Sequence, residues 1–292
     1  MTPASVTVPT AAEAVPEGSA ACAGSAAADP AVSAVSAGSA GSAGSAVSAG
    51  SAVSAGSAGA ARLTVTSRTV AKLGRADDEN EDCCAACPER GRFAIADGAS
   101  TSARPEVWSR LLVHAFVGES LDPLAPEVLA ELRERWWEQV SRPGLPWYAR
   151  AKLQSGADAS FLGLCVDVER RRWVATCVGD SCVFHLSGGR TRAAGPVLRA
   201  EDFSRFAQLV GSRGAAVPAP TVLGGTYQPG DVFVLATDAL ARLLLCADAD
   251  RGRMPSPGWL AHSAGRFARM VAAYRHHGCL ANDDTTICVV QT

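Results

Sequence analysis

Arg92-Phe-Ala-Ile-Ala-Asp97-Gly98 is a short apolar run that stops abruptly at an acidic residue and a glycine. It reads as a strand followed by a turn. The same grammar recurs along the chain. Asp231-Val-Phe-Val-Leu-Ala-Thr237 is a buried strand that ends on Asp238, and Ala239 to Cys246 continues as a helix. Thr285 to Val290 is a closing strand with Asp283 just before it, and Glu81-Asp82 opens a strand over Glu81 to Ala86. A carboxylate at a strand end is anchored by the sheet while its head faces a cleft. Converging carboxylates repel one another, so such an arrangement is stable only when a hard cation neutralises it.

Outward from these runs, Leu63 to Val70 alternates as a first strand. Pro105 to Glu119 is a helix with Val107, Leu111, Leu112, Ala115 and Phe116 on one face. A second helix from Ala125 to Val140 is stopped by Pro143-Gly144. Phe161 to Val168, Trp173 to Val178 and Cys182 to Leu186 read as a strand meander turned at Glu169-Arg-Arg-Arg172 and Gly179-Asp180-Ser181. Between Arg190 and Gln228 the pattern is loose, with Phe203, Phe206 and Leu209 its one helix-like face. Trp259 to Tyr274 is a further amphipathic helix. The order defines an α+β fold of mainly antiparallel sheets covered by helices.

The chain has 292 residues and a formal net charge of −2. Met1 to Ala61 is almost entirely Ala, Ser, Gly, Val and Pro, with near-triplets of Ser-Ala-Gly and Ser-Ala-Val. It lacks large apolar anchors to offset the entropy of ordering and reads as a disordered tail, with one domain over 62–292. Prolines at 3, 9 and 16 and the lack of a basic start argue against a secretory signal, so a cytoplasmic chain with reduced thiols is expected. Balanced charge implies no nucleic-acid partner, and no apolar run of about 18 residues suggests a membrane span. A monomer is expected. Cys84 and Cys87 form a CxxC without a second ligand pair, so buried thiols are favoured over zinc. There is no nucleophile elbow, Walker loop or dinucleotide fingerprint.

A single Asp before a turn is most often a turn or cap residue. Read together, oxygen-only groups favour Mg²⁺ or Mn²⁺ over zinc. Two such ions about 4 Å apart can activate a water and clamp a phosphoryl group. The ordered stretches Asn80-Glu81-Asp82, Phe93-Ala-Ile-Ala-Asp97-Gly98, Val178-Gly179-Asp180-Ser181, Leu235-Ala-Thr-Asp238 and Asn282-Asp283-Asp284-Thr-Thr286 resemble the type 2C metal-dependent protein phosphatases. The resemblance implies a helix–sheet–sheet–helix sandwich with the metal cleft between the sheet ends. It implies a serine/threonine phosphatase using two Mg²⁺ or Mn²⁺ ions, acting on a phosphorylated protein substrate. By the same carry-over Asp97 bridges both metals, the Gly98 carbonyl ligates the second, and Asp238 and Asp283 hold the first. Glu81 and Asp82 position metal-bound waters, and Asp82 joins Asp97, Asp238 and Asp283 in the catalytic set.

Departures from the family pattern point to an alternative. The phosphate-binding arginine's place, five residues before the last Asp of Asn-Glu-Asp, is Asp77. Arg75 is the nearest candidate for that role, with Arg62 and Arg68 further off. The usual Asn after Asp283 is Asp284, and Ala239 stands where a glycine is usual. Asp158 reads as a surface-turn residue rather than a third-metal ligand, and Asp180 as part of a tight turn. The alternative is a catalytically weak phosphatase-like domain that binds phosphoprotein partners or a partner kinase.

Overall fold

The computed structural model describes residues 62–203, 207–214, 218–251, 256 and 263–292. The expected tail, Phe206 and the start of the helix expected from Trp259 lie outside the described residues. Among the described residues no helix is long and apolar enough to cross a membrane.

Two five-stranded antiparallel sheets form the centre. One has the order β1 (Thr64–Val70), β12 (Thr285–Gln291), β11 (Val232–Ala236), β7 (Cys182–Ser187), β8 (Arg190–Gly195). The other runs β10 (Thr221–Thr226), β6 (Arg172–Val178), β5 (Phe161–Asp167), β3 (Arg92–Ala96), β2 (Cys83–Cys87). A small ladder pairs β4 (Asp158–Ala159) with β9 (Val210–Gly211). Helices α1 (Pro105–Val117) and α2 (Pro126–Val140) belong to the core on the second sheet. Helices α4 (Asp238–Arg251) and α5 (Ala264–His276) belong to that on the first, and α3 (Trp147–Ser155) follows α2. This is the helix–sheet–sheet–helix sandwich that the resemblance implies.

Strand alternation builds the layers. In β3, Phe93 and Ile95 enter the core between the sheets, while Ala94 and Ala96 face the α1 side with Trp108, Leu112 and Phe116. In β11, Phe233 and Leu235 enter the inter-sheet core and Val234 and Ala236 face the α4–α5 core. Strands covered on both faces read as continuous apolar runs, which is why these two are conspicuous in sequence. The indole of Trp108 is fully buried and its Nε1 donates to the Val210 carbonyl oxygen at 2.7 Å, tying α1 to the β4–β9 ladder.

The loose stretch after Arg190 is not helical where it is described. It supplies the edge strands β8 and β10, with a short 3-10 turn at Ala200–Asp202. Asp158, expected in a surface turn, lies in β4 and pairs with Gly211.

Candidate active site

Asp97 follows directly on β3, and the chain beyond it is laced to the β4 segment. The Ser160 N–H donates to the Asp97 carbonyl oxygen at 2.8 Å, Gly98 bridges Ala159, and the Ala99 N–H donates to the Asp158 carbonyl oxygen at 2.9 Å. Gly98 is confined: a Cβ there would sit 2.7 Å from Pro105 Cβ and 2.9 Å from the Glu81 carbonyl oxygen. A side chain would therefore push apart the α1 start and the Glu81 loop that flank the site.

Asp284 organises the facing loops. Its Oδ1 accepts from the Lys72 N–H at 2.8 Å and its Oδ2 from the Glu81 N–H at 2.7 Å. One buried carboxylate so joins the chain after β1, before β2 and before β12. Asn282 Oδ1 accepts from the Leu73 N–H at 2.7 Å. The buried Arg275 of α5 donates to the carbonyl oxygens of Ala71 (2.9 Å) and Asp283. Thr237 Oγ1 accepts from the Thr286 N–H at 2.9 Å and donates to Asp82 Oδ2 at 3.1 Å. The backbone around each acidic residue is held by contacts distant in sequence.

A cavity of about 170 Å³ is lined by Asp97, Gly98, Ser100, Asp180, Asp238 and Asp283, together with Ala99, Ser160, Ala207 and Leu209. Four of the expected ligand residues thus converge. Glu81 and Asp82 stand outside the lining. Glu81 Oε2 accepts from Ser100 Oγ at 2.6 Å, and Asp82 sits behind, its Oδ1 buried without a hydrogen-bond partner among the described residues. Asp180, read as a turn residue, borders the same cavity. Its turn is forced by Gly179 at φ +95°, where a Cβ would stand 2.6 Å from Ser160 Cβ.

Burial and mutual repulsion raise these carboxyls together. Burial, then the charges of Asp82, Asp238, Asp283 and Asp180, holds Asp97 well above the usual carboxylate range. Burial, with Asp284 and Asp238 adding, pushes Asp82 up to about 8. Burial and the neighbouring Asp238 push Asp180 to about 6. Asp238 rises through burial and the Asp283 charge, and Asp283 through burial. A cluster whose members resist ionising is the donor chemistry that a hard cation relieves. Among the described residues, however, no group of three or more His, Cys, Asp or Glu side chains is arranged so that it could hold a metal ion as it stands.

The cations are disposed otherwise than the sequence pattern suggests. Arg75 pairs with Glu79 at 2.8 Å on an exposed turn, and Asp77 is exposed beside it. Arg68 donates to the Ser67 carbonyl oxygen at 2.6 Å. Lys72, which no motif singles out, places its ammonium 2.5 Å from Glu81 Oε2, 2.7 Å from Ser100 Oγ and 3.9 Å from Asp283 Oδ1.

No family model and no curated protein matches the chain. Solved structures do. The Mycobacterium tuberculosis serine/threonine phosphatase PstP/Ppp matches with a TM-score of 0.52 and 20% identity, over 79% of this chain and 98% of that one. The S. agalactiae serine/threonine phosphatase matches with a TM-score of 0.53 and 14% identity, over 79% and 99%. The PPM Ser-Thr phosphatase MsPP from Mycobacterium smegmatis matches with a TM-score of 0.51 and 18% identity, over 80% and 99%. At these identities the likeness is one of fold. The chain has the architecture of the type 2C phosphatases, and the resemblance carried by the acidic motifs holds at that level.

Proposed function

We propose that residues 62–292 form a phosphatase-like domain that engages phosphorylated serine or threonine side chains of a protein partner, such as a kinase, with weak turnover. The observation that carries this reading is the pairing of an acidic cavity with Asp77 at the place of the phosphate-binding arginine. An anionic cavity repels a phosphoryl dianion unless a cation intervenes. Asp97, the Gly98 carbonyl, Asp238 and Asp283 would hold Mg²⁺ or Mn²⁺ there, with Glu81 and Asp82 around it. A bound divalent ion supplies charge neutralisation and a water of lowered pKa. The protein's own part is to hold Asp97 rigidly against the β4 segment and to keep the Glu81 loop in place through Asp284. In this reading the domain acts as a cytoplasmic monomer.

A second reading, a full Mg²⁺- or Mn²⁺-dependent protein serine/threonine phosphatase, is favoured by the convergence of Asp97, Gly98, Asp238 and Asp283 on one cavity. One experiment separates the two. The full chain is mixed with a phosphoserine peptide and its unphosphorylated twin in Mn²⁺, and binding and phosphate release are followed together. Selective binding with slow release supports the first reading. Rapid release that EDTA and Asp238→Asn both abolish supports the second. Neither binding nor release would overturn both.

A further inference from the structure

Lys72 stands out among the charges of the cleft. Its side chain is only 13% exposed, and its ammonium is held by protein groups. An ammonium has three N–H donors. Glu81 Oε2 takes one at 2.5 Å and Ser100 Oγ another at 2.7 Å. Among the described residues the third has no acceptor within hydrogen-bond distance, since Asp283 Oδ1 is 3.9 Å away. Ser100 and Asp283 both line the cavity, so the ammonium sits at its edge. Its backbone is fixed as well, because the Lys72 N–H donates to the buried Asp284 carboxylate at 2.8 Å. The result is a preorganised cation with one donor unspent, beside a cavity whose charged lining groups are carboxylates.

We propose that Lys72 is the phosphoryl-binding cation of this cleft, donating its third N–H to a phosphate oxygen of the bound group. The assignment rests on the reading of the cavity as a phosphoryl site. Arg75 is spent on Glu79 at 2.8 Å in an exposed turn, whereas Lys72 is held within the acidic cleft. Ser100 steers the ammonium: its hydroxyl accepts from Lys72 and donates to Glu81 Oε2 at 2.6 Å, which closes a three-membered ring of contacts. The ammonium contacts Glu81 and lies 3.9 Å from Asp283 Oδ1, two groups that would hold or surround a divalent ion. Removing it therefore weakens phosphate binding without weakening cation binding.

The test uses the full chain, with inorganic phosphate as the probe and Mg²⁺ as the cation, both read by calorimetry. Lys72→Met should lower phosphate affinity by about tenfold or more, the scale of one lost charge-assisted hydrogen bond. Mg²⁺ affinity, measured without phosphate, should be unchanged or tighter. Lys72→Arg should retain phosphate binding to within a few-fold, and Lys72→Gln replaces Lys72→Met if circular dichroism shows that variant misfolded. Wild-type affinity in the folded neutral variant overturns the assignment while leaving the phosphoryl site standing. A wild-type chain that binds neither Mg²⁺ nor phosphate overturns the reading of the cavity and the assignment with it.

Discussion

Asp97 and Ser160 hold each other at two points: the Ser160 N–H donates to the Asp97 carbonyl oxygen at 2.8 Å, and the Asp97 N–H donates to Ser160 Oγ at 3.2 Å. Ser160 Oγ also lies 2.7 Å from Ser181 Oγ, in the turn that carries Asp180. One buried hydroxyl thus couples two acidic residues of the cavity. Ser160→Ala leaves the Asp97 N–H without that acceptor and should destabilise the domain by about 1–2 kcal/mol. It should also weaken Mn²⁺ binding several-fold, because the Asp97 carboxylate loses its fixed base. Chemical denaturation and calorimetry on the same preparation check both effects. Unchanged stability and affinity would show that the coupling is inert.

Asp284 carries a heavier structural duty, since its two oxygens take the N–H groups of Lys72 and Glu81 and the residue is 2% exposed. Asp284→Ala leaves two donors bereft and should cost about 3 kcal/mol. Asp284→Asn should fall between, because one carboxamide oxygen can serve only one of the two loops. Urea midpoints for the three proteins would rank them, and an Asn variant as unstable as the Ala variant would contradict the account.

The raised carboxyls make stability depend on pH. Asp82 titrates near 8 in the folded chain against 3.8 when unperturbed, and Asp180 near 6. Within that window the folded state keeps protons that the unfolded chain has released. The contribution to stability is therefore complete below the unfolded value and is lost as pH rises through the folded one. In EDTA the melting temperature should fall from about pH 5 to about pH 9, and Mn²⁺ should shrink the fall by taking the protons' place. A melting temperature that rises over this range would oppose the reading of the cluster.

How far the sequence reached depends on whether a signal is local. Asp97, Asp238 and Asp283 could be read because each abuts a strand buried on both faces, and an apolar run broken by an Asp is visible in a handful of residues. Strands β8 and β10 could not. Thr221-Val-Leu-Gly-Gly-Thr226 is exposed for most of its length and Arg190-Thr-Arg-Ala-Ala-Gly195 is mostly half-buried or exposed, and both are edge strands held by pairing with β6 and β7. Helix α3 presents Trp147 and Tyr148 to solvent at 81% and 63% exposure, so it has no apolar stripe to betray it. Asp180 occupies a turn whose sequence looks the same whether its carboxylate faces water or a cavity. Lys72 is the extreme case, because its partners Glu81 and Ser100 lie 9 and 28 residues away.

The convergence of Asp97, Asp238 and Asp283 on one cavity underlies both functional readings, and Mn²⁺ binding tests most directly whether that cavity takes a hard cation. Calorimetric titration of the full chain should show saturable Mn²⁺ uptake that Asp238→Asn reduces by at least about tenfold, with the variant still folded by circular dichroism. Equal uptake by wild type and Asp238→Asn, or none by either, would contradict it.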